Sequence, residues 1–194
     1  VPPGRRVCGC AAGLVMQSKL ASRTTLTRFY NAFAHLDPDT MALCYAPDVG
    51  FQDEIFTLQG SDQVMAMWRM LCASAKASGR ADWKLNYRVV SVDADTGQLQ
   101  WNAQYRFGKV QRPVHNHIQA MFRFNAAGQI TQHHDQFDFW QWSRQALGLP
   151  GLLLGWSPLL RRQVRAKALH GLNRYIAAHP ILAQARPDST EGTH

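Results

Sequence analysis

The residues best placed to do chemistry lie in the run His133-His134-Asp135-Gln136-Phe137-Asp138. A strand puts alternate side chains on one face, so His133, Asp135 and Phe137 look the same way. A carboxylate among aromatics on an inward face loses hydration. Its proton affinity rises and it becomes a stronger base towards a carbon acid. Asp135 is therefore a candidate base for proton transfer next to a carbonyl, with His133 as its same-face neighbour. Tyr30, on a helix above, could donate a hydrogen bond to the enolate oxygen, and Asp53, at the edge of an earlier strand, is the alternative base. Trp101, Tyr105, Phe122 and Phe137 would wall a pocket for a flat or lipophilic ligand. Trp68, from a helix, and Ile118 and Ala120, from a strand, complete that wall.

Each candidate has a plainer alternative. Tyr30 belongs to a helical stripe and can be a core tyrosine; Asp53 can cap the turn that follows it. Asp135 can pair with His133 or an arginine as a structural ion pair. The histidines raise a metal question, because His115 and His117 share one face of a strand while His133 and His134 lie on the next. By alternation His115 and His117 point away from the pocket face, so no metal and no cofactor is expected.

Positioning these groups requires helices first and strands afterwards. Leu26, Phe29, Tyr30 and Phe33 recur at helical spacing, and Asp37-Pro38 ends that run and caps a short second helix. Val49 to Asp53 is a brief strand. Ser61 opens a third helix with the stripe Val64, Met65, Trp68, Leu71 and Cys72. The period then changes to two, through Trp83 to Val89, Leu99 to Phe107, Val114 to Asn125 and Ile130 to Phe139. Asn125-Ala126-Ala127-Gly128 makes the last connection a hairpin. A helix over Pro158 to Ala178 follows a glycine-rich loop, Leu147 to Gly155. The fold class is α+β: a cone-shaped, curved antiparallel sheet of about four long strands and a short one wraps around N-terminal helices, with an extra C-terminal helix.

The 194 residues, 46% hydrophobic and 18% charged, suit a globular chain with one main domain, over residues 22–142. Residues 1–21 are expected to be a flexible N-terminal segment, with Val1 or Met16 as the true start. Residues 143–180 form a loop and helix extension, and 181–194 a disordered tail. The net charge of +8 is concentrated late, at Arg161, Arg162, Arg165, Lys167 and Arg174 on one candidate helix. With no recognition motif beside it, this reads as a solvated helix face, and nucleic acid is not an expected partner. No apolar run spans a membrane, and no membrane partner is expected. Cys8 and Cys10 are too closely spaced for a zinc knuckle, and Cys44 and Cys72 read as small core residues; the usage suits a reducing cytoplasm.

The order of elements, and several segments, resemble the nuclear transport factor 2-like superfamily, in its SnoaL-like and ketosteroid-isomerase-like branches. The carriers are Phe29-Tyr30-Asn31-Ala32-Phe33, the stretch Tyr45 to Asp53, Leu58-Gln59-Gly60 and the hairpin Phe122 to Ile130. The resemblance covers about Ser22 to Trp142 and implies a homodimer formed through the outer sheet face, with a small lipophilic ligand. It puts Tyr30 where the isomerases keep an oxyanion-hole tyrosine and Asp53 where they keep the general-base aspartate. Ala120 stands where they keep a second, protonated aspartate. The acid-and-arginine set of limonene-epoxide-hydrolase-like chemistry is also missing from that strand. Asp135 lies near the acid/base aspartate of SnoaL-like cyclases, so the resemblance implies a cyclase- or isomerase-type activity, or a non-catalytic ligand-binding or interaction module on the same fold.

Overall fold

The computed structural model describes residues 8–180, with side chains from Gly13 onward. The expected tail at 181–194, residues 1–7, and the side chains of Cys8 and Cys10 lie outside the described residues. In chain order the elements are α1 (Cys8–Ala34), α2 (Pro38–Ala42), β1 (Tyr45–Gln52), β2 (Thr57–Gln59), α3 (Ser61–Ala77), β3 (Lys84–Val92), β4 (Thr96–Phe107), β5 (Arg112–Phe124), β6 (Ile130–Gln136), α4 (Phe139–Leu147), α5 (Leu149–Leu154) and α6 (Pro158–Ala178). The architecture is α+β, with helices laid on the concave face of a curved sheet.

The helical stripe of α1 buries Leu26, Phe29, Tyr30 and Phe33. The Asp37 side chain accepts the Thr40 backbone N–H at 3.2 Å, which satisfies a free donor of α2. Along β4 and β5 burial alternates residue by residue, with Leu99, Trp101 and Ala103 inward, and Ile118, Ala120, Phe122 and Phe124 facing them. His115 and His117 point outward and His133 inward, so the sheet separates them. In the β5–β6 hairpin Asn125 Oδ1 accepts from the N–H groups of Ala127 and Gln129, and Gly128 takes φ 74°. That left-handed conformation is what glycine permits.

Several expectations need correction. The sheet is mixed, in the order β2-β1-β6-β5-β4-β3, and it is open. β1 runs parallel to β6 because no hairpin joins them; α1 and α2 deliver the chain to the end of β6 at which that strand starts, where Ile130 N–H donates to the Cys44 carbonyl at 2.9 Å. Among the described residues there are six strands, because Thr57–Gln59 adds an antiparallel edge to β1. Residues 8–21 continue α1; Ala, Leu, Met, Gln and Lys outweigh the glycines there.

The last long strand stops at Gln136, and the Asp138 side chain accepts from Gln141 N–H to cap α4. The expected glycine-rich loop is helical. A Cβ at Gly151 would come within 1.9 Å of the Ser143 carbonyl oxygen, so that glycine lets α5 press against α4. The C-terminal helix has the expected bounds, Pro158 to Ala178.

Candidate functional site

Between the concave face of the sheet, α3 and α6 lies a cavity of about 530 Å³. Its walls are mainly apolar: Phe51, Trp68, Trp101, Ile118, Phe137 and Trp142 are among them. Val164, Lys167, Ala168 and Gly171 of α6 cover one side, so the helix beyond the main domain helps to enclose the space. The carboxyl groups on this wall are those of Asp53 and Asp135. Phe51 pairs with His133 and Gln52 with His134 in the parallel β1–β6 register. Continued by one residue, that register sets Asp53 against Asp135.

Asp135, 3% exposed, is held from below. Trp68 Nε1–H donates to the Tyr45 hydroxyl at 3.0 Å, and that hydroxyl lies 2.7 Å from His133 Nδ1. His133 Nε2 lies 3.1 Å from Asp135 Oδ1, which also accepts from Trp101 Nε1–H at 3.3 Å. An indole only donates, so the Tyr45 oxygen accepts from Trp68 and its hydrogen goes to Nδ1. The imidazole proton then lies on Nε2 and is donated to the carboxylate, an assignment made from the bonding pattern. Every donor in this chain has an acceptor. Among the described residues, Asp135 Oδ2 has no hydrogen-bond partner and is left on the cavity side.

Asp53 is arranged differently. Its Oδ1 accepts the backbone N–H groups of Ile55 (2.7 Å) and Phe56 (2.5 Å), the turn cap anticipated as its plainer role. Its other oxygen has no partner among the described residues. Burial pushes the Asp53 carboxyl up to about 7; the two backbone N–H groups oppose this, and the charges of Asp135 and Glu54 add to it. Burial likewise raises the Tyr105 hydroxyl to about 12, with Asp53 as a further cause. The Tyr105 oxygen accepts from Trp142 Nε1–H at 2.9 Å, which leaves its own hydrogen for a ligand. At neutral pH the cavity therefore offers a carboxyl near its midpoint of titration and a protonated phenol.

Of the residues singled out from the sequence, Asp135, Asp53, Trp68, Trp101, Tyr105, Ile118 and Phe137 line this cavity. His133, 1% exposed, lies behind Asp135, stacked on Trp68 and 4.4 Å from the Phe122 ring centroid. Phe122 and Ala120 fill the core beneath and do not line it. Tyr30 also falls outside the cavity, with its ring against Tyr87, Trp101 and Phe122. Its hydroxyl is buried and has no partner among the described residues, and that burial raises its pKa well above the ordinary phenol value. A periodic stripe placed the ring correctly in the core but carries no information on where the hydroxyl ends. The sequence reading overlooked Tyr45, which completes the chain to His133, and gave Tyr105 no polar role. An inward tyrosine at the start of a strand was the available signal for Tyr45.

The sequence profile of the SnoaL-like domain matches residues 26–133, more than half of the chain. No curated protein matches it in sequence. Among solved structures it is similar to a candidate polyketide cyclase from Xanthomonas campestris pv. campestris, at 15% identity and TM-score 0.52, over 66% of this chain and 98% of that one. It is similar to an LEH-like epoxide hydrolase from M. tuberculosis, at 17% identity and TM-score 0.50, over 70% and 95%. An NTF2-like protein of unknown function from Burkholderia pseudomallei K96243 matches at 18% identity and TM-score 0.53, over 65% and 97%. These identities speak for the fold, and the family match for the descent: the chain belongs to the SnoaL-like domain family, within the nuclear transport factor 2-like superfamily.

Proposed function

We propose that the protein binds a lipophilic carbonyl compound in this cavity and transfers a proton next to the carbonyl, as an isomerase or cyclase would. The observation that carries the reading is the pair Asp53 and Asp135 on the wall of a mainly apolar cavity. Asp53 is the proton carrier: its unpaired oxygen takes the hydrogen from the carbon next to the carbonyl, and the C–H electron pair moves into the enolate. The Tyr105 hydroxyl donates a hydrogen bond to the enolate oxygen as charge develops there. Asp53 then returns the proton to the same or a conjugated carbon, so the reaction consumes no cofactor. Asp135, fixed by His133 and Trp101, lies close enough for its charge to add to the raised proton affinity of Asp53. This exchanges the roles foreseen from sequence, where Asp135 was the first-choice base. A candidate polyketide cyclase and a candidate isomerase among proteins of like fold agree with this chemistry. The same reading includes a homodimer formed through the polar outer face of the sheet, which carries Gln100, Asn102, His117 and Gln119.

A second reading, a ligand carrier without turnover, draws on the Asx turn of Asp53, since a carboxyl that caps a turn already has a structural task. One experiment separates the two. Cyclic ketones are incubated with the protein in D2O, and exchange at the carbon next to the carbonyl is followed by NMR. The exchange rate is expected to rise with pH and level off above about 7, because Asp53 must lose its proton to act as base. Asp53→Asn should slow it by about 100-fold or more while ligand affinity stays within about twofold. Binding of a ketone with no catalysed exchange would establish the carrier instead.

A further inference from the structure

We propose that the corner formed by α5, Trp156 and the start of α6 docks on an anionic lipid membrane. Leu153, Leu154, Trp156 and Leu159 are between 51% and 74% exposed there, within one short stretch of chain, while Leu149 and Leu152 beside them line a hollow with His117 of the outer sheet face. Single exposed apolar residues are ordinary, but a contiguous cluster marks a surface that meets something. Trp156 is the most exposed of them, at 74%, and its Nε1–H donates to the Leu153 carbonyl at 3.0 Å, which anchors the indole to the turn. Leucines beside an amphipathic indole are the side-chain set that enters the boundary between headgroups and acyl chains.

Charge decides the occupant. From Phe139 to Ala178 the chain has no Asp or Glu, and it carries Arg144, Arg161, Arg162, Arg165, Lys167 and Arg174. Arg161 and Arg165 are engaged with Glu54. Arg162, Lys167 and Arg174 have no acidic partner among the described residues. An apolar corner with the unopposed Arg162 within one helical turn of Leu159 complements a layer of anionic headgroups over hydrocarbon; two such corners facing each other in a dimer would set cation against cation. No described helix is long and apolar enough to cross a membrane, so the contact is peripheral. Leu147, Val164 and Lys167 of the same segment line the cavity, so the docked segment is also a wall of the cavity. The docking surface stands whether or not the cavity turns a substrate over.

Co-sedimentation of the full chain with phosphatidylglycerol-containing vesicles and with pure phosphatidylcholine vesicles tests this. Binding to the anionic vesicles is expected to exceed binding to the neutral ones by about tenfold or more, and to fall as salt is raised. Leu153→Glu and Arg162→Glu should each weaken it by about tenfold, with an unchanged melting temperature because both side chains face solvent. The fluorescence difference between the parent protein and Trp156→Phe should shift to the blue when anionic vesicles are added. Equal binding to both lipids, no binding to either, or a Leu153→Glu protein that binds as well as the parent would overturn the proposal. So would a dimer, seen by light scattering, that Leu153→Glu dissolves while vesicle binding stays absent.

Discussion

The two ends of the concave face handle buried polar groups in opposite ways. At the inner end, Trp68, Tyr45, His133 and Asp135 Oδ1 satisfy one another in a single directional chain, closed by Trp101. At the cavity end, the second oxygens of Asp53 and Asp135 and the Tyr105 hydrogen have no partner within the described residues. A closed network fixes a geometry; unsatisfied groups beside a cavity can act on a ligand. Tyr30 shows that an orphan group is not enough by itself. Its hydroxyl is unpaired as well, but it is sealed in the core away from the cavity.

The largest stability effect is expected from opening the closed network. His133→Ala removes a ring packed on Trp68 and Phe122 and strands both the Tyr45 hydroxyl and an oxygen of Asp135. It should cost about 3–5 kcal/mol in urea denaturation. A cost below about 1 kcal/mol would show that the inner chain has no structural role.

A smaller, pH-dependent effect belongs to the cavity end. The Asp53 carboxyl titrates near 3.8 when unfolded and at about 7 in the fold, so the folded state holds its proton more tightly. Burying the ionised form therefore costs stability. The cost is absent below about pH 4, grows as pH rises towards 7 and is complete above it. Asp53→Asn should accordingly stabilise the protein by about 1–3 kcal/mol at pH 8, discounted for partial exposure. That gain should vanish by pH 4, and a pH-independent difference would break the contrast.

The finest comparison sets two buried tyrosines side by side. Tyr45→Phe leaves His133 Nδ1 and the Trp68 N–H without partners and should cost about 1–2 kcal/mol. Tyr30→Phe removes a hydroxyl that bonds to nothing and should be neutral within about 0.5 kcal/mol, or stabilising. Thermal unfolding of the two variants reads the difference directly.

Much of this architecture was legible because it is local. The β5–β6 hairpin follows from alternation and an Asn-to-Gly turn, and the cap of α2 from Asp37-Pro38. The parallel pairing of β1 with β6 left no comparable trace, since no turn fixes the register of strands so far apart in the chain. The glycines at 151 and 155 looked like loop punctuation, whereas Gly151 in fact permits close helix contact with Ser143. At the site, alternation put Asp135 and His133 on the inner face, but only the fold could tell that one lines the cavity and the other lies behind it. The bond from Tyr45 to His133 spans 88 residues of sequence and has no periodic signature. The membrane was set aside on the lack of a spanning run, and no described helix is long and apolar enough to cross one; that criterion does not address the exposed leucines between 149 and 159, which are local in the sequence.

The latch on α6 has a consequence for how the cavity works. Arg161 and Arg165 hold α6 to the side chain and backbone of Glu54, the chain neighbour of Asp53, and the charge on Glu54 is one of the influences on Asp53. The helix that covers the cavity and the carboxyl on its wall therefore share one anchor, Glu54. A ligand whose binding parts α6 from Glu54 would also shift the protonation of Asp53, and by reciprocity its affinity would change with pH near 7.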